Sequence, residues 1–261
     1  MKLIQSRDNP FYKELARLSG SARQRNKSKQ TLLDGAHLLT AYLDAGMMPR
    51  HILLNAAAMN DGEIAGLLQR LTDAPVTRLD DELFAGLSEL KSPSGIIALI
   101  DLPQPAGAIA SSSFALLLED IQDPGNLGSI LRSAAAAGCD AVSLSQGCAD
   151  VWSPKVLRAA MGGHFALHIL ERQDLPDVAR SFSGTLLATS LQAGCSLYDC
   201  DLRGRIAFLI GNEGAGLSAG LLKLAAQEIA IPMHGKIESL NAAAAAAICL
   251  FEAVRQRSVG V

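Results

Sequence analysis

The sequence predicts an α/β protein whose C-terminal part is built on a parallel sheet. Strand-like and helix-like stretches alternate along the 261-residue chain, which is the pattern of an α/β fold. Two strand candidates, Phe114–Leu118 and Ile206–Ile210, are apolar at every position, so both faces of that sheet are covered and its strands are parallel. Residues 104–113, rich in proline, glycine and serine, are predicted to link an N-terminal domain, 1–103, to a C-terminal domain, 114–261.

The elements of the N-terminal domain follow from short apolar runs and helical periodicity. Its helices are predicted at 11–18, 36–45, 62–71 and 81–88, and its strands at 50–55, 76–79 and 95–101. In the C-terminal domain, strands are predicted at 114–118, 141–144, 165–170, 185–189, 206–210 and 228–231, and helices at 127–137, 154–161, 217–226 and 239–257. The alanines at 242–247 favour close packing of the last helix, including across a dimer interface.

Composition indicates a globular protein that works in the cytoplasm. Apolar residues make up 49% of the chain, enough to build a large core. Five scattered cysteines without a C-x-x-C pair favour reduced thiols. The most apolar run, 242–251, is too short to cross a bilayer, and the N-terminus lacks the apolar core of a secretion signal. We therefore expect no membrane association.

Positive charge is concentrated at the N-terminus. The net charge of the chain is −3, yet residues 1–30 hold eight Lys and Arg against two acidic residues. Such an asymmetry favours contact of the basic end with a phosphate backbone, and a solvated tail is the alternative. The candidate contacts are Arg7, Lys13, Arg23, Arg25 and Lys27.

A first polar segment, 123–132 (DPGNLGSILR), follows the apolar strand 114–118. Ligands of open α/β sheets bind at the carboxyl ends of strands, so this loop is a candidate binding site. Asn126 is predicted to cap the following helix. Gly128 and Arg132 lie four residues apart on one helix face, which suits a phosphate or ribose, although a solvent-facing Arg132 is the alternative.

Two further segments carry glycines and polar residues. The stretch 211–216 (GNEGAG) has the order G-x-x-G-x-G, which differs from a dinucleotide fingerprint and makes a nicotinamide enzyme a poor fit. Its Glu213 is either a turn residue or a carboxylate directed into a cleft. In the stretch 231–241 (IPMHGKIESLN), Ser239 and Asn241 precede the last helix, where they cap it or hold a polar ligand.

These three segments, in this order, resemble the signature motifs of the SpoU (TrmH-like) RNA ribose methyltransferases of the SPOUT superfamily. The resemblance covers roughly 113–257, and the N-terminal residues, including LLDGAHLLTAYLDAG, resemble the family's ribosomal-protein-like substrate-binding domain more weakly. It implies S-adenosylmethionine as cofactor and methylation of an RNA ribose 2′-hydroxyl. It also implies a deep C-terminal trefoil knot and a homodimer through the C-terminal domain, with active sites shared between the subunits.

Residue roles are carried over by position from the resemblance. The catalytic residues would be Asn126, Arg132, Glu213 and Asn241, and the cofactor would be bound by Thr189, Gly211, Ile231, Met233, Ser239 and Leu240. Many members continue the third motif as SLN-V-S-V, whereas this chain has alanine at 243 in place of the hydroxyl residue. A neutral guanidine costs about 8 kcal/mol at pH 7, so Arg132 is expected to act as a cation.

The resemblance and the N-terminal domain favour ribosomal RNA as the substrate over transfer RNA. Arg158 is a candidate RNA contact, with a plain helix-surface role as the alternative. A non-catalytic RNA-binding or ribosome-assembly protein on the same fold is the rival function. His164 and His168 lack a third ligand nearby in the sequence, so no metal site is predicted.

Overall fold

The chain divides into two compact units. The computed structural model describes residues 1–71, 73–90, 94–104, 109–236 and 239–258. The first unit contains Met1–Gln104 together with Trp152–Phe165, and the second contains Pro105–Val151 and Ala166–Val261. Of the predicted linker, residues 105–108 lie outside the described residues, and Ile109–Ser111 form one turn of 3₁₀ helix.

The first unit is built on a mixed five-stranded sheet. Its elements are β1 (Lys2–Ile4), α1 (Pro10–Gly20), α2 (Ala22–Ser28), β2 (Gln30–Asp34), α3 (Ala36–Asp44), β3 (His51–Leu54), α4 (Gly62–Gln69), β4 (Val76–Leu79), α5 (Asp81–Ala85) and β5 (Ile96–Asp101). The strand order is β1-β4-β3-β5-β2, with β5 antiparallel to both β3 and β2. Strands β1 and β2 were not predicted, because runs of three and five residues carry little periodic signal.

Helix α1 packs its apolar face into the core of the first unit. The side chain of Asn9 accepts hydrogen bonds from the first backbone amides of α1, and Pro10 occupies the first turn, where it removes no hydrogen bond. Tyr12, Leu15 and Leu18 form the buried face of the helix and join the core of this unit. The leading helix predicted at 11–18 is therefore present, with its basic residues on the outer face.

A segment from the C-terminal half of the sequence, 152–165, belongs to the first unit. It carries α7 (Pro154–Ala160). Thr31 Oγ1 donates a hydrogen bond to the carbonyl oxygen of Trp152 (2.9 Å), and the Tyr42 and Phe165 rings meet edge to face at 5.1 Å. The contiguous division predicted at residue 104 had placed this segment in the C-terminal domain. Long-range packing of this kind leaves no local signal in the sequence.

The second unit contains a six-stranded sheet in which every pairing is parallel. Its elements are β6 (Phe114–Leu118), α6 (Pro124–Ala136), β7 (Ala141–Leu144), β8 (His168–Leu170), α8 (Leu175–Ser181), β9 (Thr185–Thr189), β10 (Ile206–Ile210), α9 (Ala219–Leu222), β11 (Gln227–Ile229) and α10 (Ala242–Ser258). The order is β11-β9-β10-β6-β7-β8, so the prediction of an α/β fold with a parallel sheet is confirmed. Because β11, β9, β10 and β6 are neighbours, the loops at their carboxyl ends meet at one edge.

Several element boundaries differ from the prediction. The strand expected at 165–170 begins only at His168, because Gly163–Ala166 form a 3₁₀ turn. The helix expected at 217–226 ends at Leu222, because Ala226 already bonds to Leu186 as the chain enters β11. The last helix begins at Ala242 instead of 239, which leaves the preceding residues in a loop. No helix in the described ranges is long and apolar enough to cross a membrane.

Candidate active site

The first predicted motif lies in the loop after β6 and in the first turns of α6. Asp123 Oδ1 accepts a hydrogen bond from the backbone amide of Asn126 (2.7 Å), and Pro124 occupies the first turn. Asp123 is therefore the N-cap, and the prediction that Asn126 caps the helix is wrong. Both residue types are good caps, so the sequence did not distinguish between them. Since Asp123 fills this role, the Asn126 side chain is available for other contacts.

Three predicted catalytic side chains form one hydrogen-bonded chain. Asn241 Nδ2 donates to Asn126 Oδ1 (2.8 Å), and Asn126 Nδ2 donates to Glu213 Oε1 (2.5 Å). These residues come from three segments that are far apart in sequence and meet at the carboxyl edge of the sheet. The amide of Asn126 is thereby fixed in one orientation, with its oxygen accepting and its nitrogen donating.

Asn241 caps the last helix, which is one of the roles that the sequence left open, and it also contacts a second site residue. Its Oδ1 accepts hydrogen bonds from the amides of Ala243 (2.9 Å) and Ala244 (3.3 Å), so it caps α10. Its Nδ2 simultaneously holds Asn126. The cap orients the side chain and the other end of the amide extends into the site, so the start of α10 and the polar chain support each other.

The glycine-rich loop after β10 is tightly folded. A β-carbon on Gly211 would lie 2.3 Å from the backbone carbon and oxygen of Gly216, so no side chain fits at position 211. Gly216 has a φ of +68°, a backbone conformation that other residues rarely adopt. These constraints bring Gly211 and Gly216 together and turn the Glu213 side chain toward Asn126.

Two residues that hold this loop were not singled out from the sequence. Asn212 Nδ2 donates to the carbonyl oxygen of Asp120 (2.9 Å), and its Oδ1 accepts from two amides of its own loop. Glu119 Oε2 accepts from the backbone amide of Ser218 (2.6 Å). Both contacts join the loop after β10 to the residues that follow β6. Their only sequence signal is a polar residue just beyond an apolar strand.

One cavity of about 380 Å³ lies beside the polar chain. All six predicted cofactor residues line it: Thr189, Gly211, Ile231, Met233, Ser239 and Leu240. The side chain of Thr189 is held by a hydrogen bond from its Oγ1 to the carbonyl oxygen of Leu209 (3.0 Å). Glu213 contributes a carboxylate to the same lining, and Ile210, Leu217 and Ile229 contribute apolar surface.

The residues of the cavity fit a nucleoside cofactor such as S-adenosylmethionine. The volume falls in the range of about 300–1,000 Å³ that is usual for small-molecule sites. Apolar walls of Ile231 and Leu240 suit a planar base, and the bare backbone at Gly211 permits a close approach that a β-carbon would block. Among the residues that the structure describes, the lining thus combines apolar surface with the carboxylate of Glu213.

Arg132 is not part of the hydrogen-bonded chain. It lies on α6, exposed to solvent, and makes no hydrogen bond or ion pair with any other residue that the structure describes. Asn126 and Arg132 are six residues apart, so their side chains point about 120° apart around the helix axis. The Glu213 carboxylate accepts a hydrogen bond from Asn126 and does not contact Arg132 within one chain.

The candidate RNA contacts of the N-terminal region differ in exposure. Arg7, Lys13, Arg23 and Lys27 are all exposed. Lys13 also forms an ion pair with Asp8 at 2.8 Å, and this contact lowers the pKa of the Asp8 carboxyl group. Arg25 does not fit its predicted role as an RNA contact. Only 4% of it is exposed and its guanidinium donates to the carbonyl oxygens of residues 18 and 19, so it stabilises the turn after α1 and is not accessible to phosphate.

Arg158 and the histidines complete the predicted set. Arg158 on α7 forms an ion pair with Glu89 at 3.4 Å within the first unit and stays partly exposed. His164 is buried and His168 is exposed, so they do not share a site. Within the described ranges, no group of three or more His, Cys, Asp or Glu residues is arranged to hold a metal ion.

Comparison with known proteins decides the family. The model of the SpoU rRNA Methylase family matches residues 113–251, and that of the MRM3-like substrate binding domain matches residues 9–98. The chain belongs to the SpoU rRNA methylase family. The resemblance stated from the three motifs is thereby confirmed.

Relatives within the SpoU rRNA methylase family match almost end to end. The chain is 33% identical to the 23S rRNA (guanosine(2553)-2′-O)-methyltransferase RlmP of Bacillus subtilis, over 96% of this chain and 98% of the relative. It is 35% identical to an uncharacterized tRNA/rRNA methyltransferase of Synechocystis, over 97% and 94%. The crystal structure of the SpoU methyltransferase AviRb from Streptomyces viridochromogenes, in complex with AdoMet, superposes with a TM-score of 0.87 at 29% identity, covering 96% and 98% of the two chains.

Proposed function

We propose that this protein transfers a methyl group from S-adenosylmethionine to a ribose 2′-hydroxyl of ribosomal RNA. The observation that carries the proposal is a single cavity lined by all six expected cofactor residues, next to the chain of Asn241, Asn126 and Glu213. Membership of the SpoU rRNA methylase family and the similarity to RlmP support ribosomal RNA as the substrate.

The cavity holds the cofactor, which supplies an electrophilic methyl group on a positively charged sulfur. Ile231, Met233 and Leu240 provide apolar walls for the nucleoside, and Gly211 and Ser239 present backbone and hydroxyl groups. Glu213 adds a negative charge beside this positive ligand. Aligning the methyl group with the 2′-oxygen supplies a large part of the rate enhancement, because a reaction between two bound groups avoids the entropy cost of a bimolecular encounter.

The nucleophile is activated by positioning and charge. Arg132 acts as a positive charge and not as a general base. Its exposed guanidinium binds an RNA phosphate and stabilises the negative charge that develops on the 2′-oxygen, while the hydroxyl proton passes to phosphate or water. Asn126 and Asn241 hold the Glu213 carboxylate in place, so the charged edge of the cavity is set before substrate binds.

RNA is recruited by the N-terminal domain, residues 1–103, which we assign as a ribosomal-protein-like substrate-binding domain. The match of residues 9–98 to the MRM3-like substrate binding domain supports this. The exposed Arg7, Lys13, Arg23 and Lys27 supply positive charge for the phosphate backbone. Arg158 is the further contact we assign on α7, where phosphate would compete with Glu89.

The homodimer, the trefoil knot and the cytoplasmic location belong to the same proposal. Phe251 on α10 is 47% exposed on an alanine-rich helix, which supports association through the C-terminal domain. In such a dimer Arg132 serves the cavity of the partner subunit. The knot is proposed from the resemblance of the three motifs and from the superposition on a SpoU methyltransferase structure.

Titration calorimetry with S-adenosylmethionine tests the proposal. Wild type should bind with micromolar affinity. Leu3→Arg, a control at an exposed leucine of β1, should bind equally well. Leu240→Arg should weaken binding at least about 100-fold, because it places a charge in an apolar wall of the cavity. Wild type should also restore the missing 2′-O-methyl group in ribosomal RNA from a deletion strain. Failure of wild type to bind the cofactor would refute the proposed function, and binding without transfer would favour the non-catalytic alternative.

A further inference from the structure

Two thiols on the loop after β9 lie next to each other and take no part in the proposed reaction. The sulfur atoms of Cys195 and Cys200 are 3.6 Å apart. Cys200 is buried, whereas Cys195 is partly exposed. The other three cysteines of the chain are Cys139, Cys148 and Cys249.

We propose that Cys195 and Cys200 form a reversible disulfide that weakens binding of S-adenosylmethionine to the cavity. The identity of the ligand rests on the proposed function, whereas the disulfide itself does not. Disulfides in intracellular proteins are usually transient and sensing, which is the role inferred here.

The chemistry requires an oxidant, for which a low-molecular-weight disulfide such as glutathione disulfide is suitable. The partly exposed Cys195 attacks it as a thiolate, which forms a mixed disulfide and releases one glutathione thiol. The Cys200 sulfur then attacks the Cys195 sulfur and releases the second glutathione. The two protein thiols lose two protons and two electrons, and one glutathione disulfide becomes two thiols.

Closing the bond requires movement of the chain. A disulfide bond is about 2.05 Å long, so the sulfur atoms must approach each other by roughly 1.5 Å. The Cys200 side of the loop is held by α10, because Gln256 Nε2 donates to the carbonyl oxygen of Cys200 (3.0 Å) and Gln256 Oε1 accepts from the amide of Leu202 (2.9 Å). The movement therefore falls mainly on Cys195.

Cys195 is connected directly to the cavity. The amide of Ala230 donates to the carbonyl oxygen of Cys195 (2.8 Å), and the amide of Leu197 donates to the carbonyl oxygen of Ala230 (2.8 Å). Ala230 and the following Ile231 line the cavity, and residues 190–192, just before Cys195, line it as well. A displacement of Cys195 thus reaches two stretches of the cavity wall.

The remaining thiols explain why oxidation is selective. Burial raises the pKa of Cys139 and of Cys249 to about 12, so almost no reactive thiolate forms there at neutral pH. Burial also raises the pKa of the Cys200 thiol, so closing of the mixed disulfide accelerates as the pH rises.

Mass spectrometry and calorimetry on the full-length protein test the inference. After incubation with glutathione disulfide and quenching of free thiols, the tryptic peptide 181–203, which contains both cysteines, should lose about 2 Da relative to its reduced form. The dissociation constant for S-adenosylmethionine should rise at least about fivefold in the oxidised protein and return after reduction.

Matched variants separate the possible results. In Cys195→Ser and Cys200→Ser, peptide 181–203 should not lose 2 Da, and the protein treated with glutathione disulfide should keep the cofactor affinity of the reduced wild type. Cys148→Ser should behave as wild type in both measurements. A peptide that stays unlinked, or a disulfide that leaves the dissociation constant within about twofold, would overturn the inference. If the reduced wild type does not bind the cofactor at all, the proposed function fails, while the mass change still reports on the thiol pair.

Discussion

Two glycines of the loop after β10 differ sharply in the space around their α-carbons. A β-carbon on Gly211 would lie 2.3 Å from backbone atoms of Gly216, whereas one on Gly214 would meet only the Asn212 side chain at 3.5 Å, an ordinary contact. The backbone at Gly211 is therefore closed to any side chain, and the cavity wall depends on that closure.

Gly211→Ala should abolish binding of S-adenosylmethionine and lower the free energy of unfolding by about 1–3 kcal/mol, because backbone must move to admit the methyl group. Gly214→Ala should bind within about threefold of wild type. Calorimetry and urea denaturation measure the two quantities. Equal affinities in the two variants would mean that the loop relaxes freely and that Gly211 does not shape the cavity.

Asn126→Asp should make activity depend on pH in a new way. The substitution replaces the amide that donates to Glu213 with a carboxyl group. The adjacent Glu213 carboxylate raises the pKa of the introduced group, because two like charges repel each other. Below that raised pKa the introduced group is protonated and donates again, and above it the donor is lost. Turnover relative to wild type should therefore be about tenfold higher at pH 6 than at pH 8.

The control for this pH profile is Asn126→Ala, which offers no donor at any pH. Its activity relative to wild type should be low and flat between pH 6 and pH 8. If Asn126→Asp is equally flat, then the hydrogen bond between Asn126 and Glu213 has no part in turnover.

Arg257 anchors the C-terminal end of helix α10, next to the contacts that Gln256 makes there. Arg257 donates hydrogen bonds to the carbonyl oxygens of Leu202 (3.1 Å) and Gly204 (2.8 Å) and stacks on the Phe114 ring at 4.3 Å. Its partial burial lowers its pKa below the usual range, which is consistent with a desolvated structural cation. The other end of the same helix carries Asn241, so the anchor supports the site from a distance.

Arg257→Ala should lower the free energy of unfolding by about 1.5–3 kcal/mol, because charge-assisted bonds are lost and carbonyl groups are left without partners. Urea denaturation measures the change. Arg180→Ala, which removes an exposed ion pair on α8, is the control and should cost less than about 1 kcal/mol. A cost for Arg257→Ala no larger than this control would show that the anchor is dispensable.

Much of the second unit was predictable, and the gaps have physical causes. Fully apolar strands such as β6 and β10 identify a covered parallel sheet by composition alone. Short elements such as β2 cannot be assigned in this way, because a run of five residues is compatible with both helical and strand periodicity. The cavity residues were placed through motif resemblance, since an isoleucine or leucine carries no chemical signal of its own.

Charge and capping patterns were less reliable at single positions. Arg25 belongs to a basic stretch, yet burial turned it into a structural residue. Asp123 and Asn126 both favour caps, and only the backbone geometry shows that Asp123 is used. Glu119 and Asn212 act through contacts between loops, which no local pattern reveals.

The proposed dimer predicts complementation between two inactive variants. Arg132→Ala should abolish methyl transfer and spare cofactor binding, whereas Leu240→Arg should lose binding. If Arg132 serves the partner's cavity, each mixed dimer has one intact site, and random exchange of subunits should restore about a quarter of wild-type activity.

Methyl transfer to ribosomal RNA by each variant, and by their equimolar mixture after subunit exchange, checks this expectation. The matched control is a mixture of Arg132→Ala with Glu213→Ala, which should also regain activity if the two residues act from different subunits. Recovery in neither mixture would place Arg132 in its own subunit's site. Turnover by Arg132→Ala alone would remove it from the mechanism.

Trp152 reports on the integrity of the first unit. It is the only tryptophan of the chain, it is 4% exposed, and its carbonyl oxygen accepts a hydrogen bond from Thr31. Deletion of residues 1–104 should shift its fluorescence emission to longer wavelength and cause self-association, because α7 would expose Val156 and Leu157. Emission unchanged from the full-length protein, in a monodisperse sample, would contradict this expectation.

The assignment of 152–165 to the first unit also has a consequence for synthesis of the protein. Chains emerge from the ribosome from the N-terminus, and a domain encoded in one continuous stretch folds as soon as that stretch has emerged. Here the first unit waits for Phe165, by which point Pro105–Val151 of the second unit is already outside the exit tunnel. The two units must therefore mature in overlapping periods of translation, and a pause shortly after residue 104 would strand the first one incomplete.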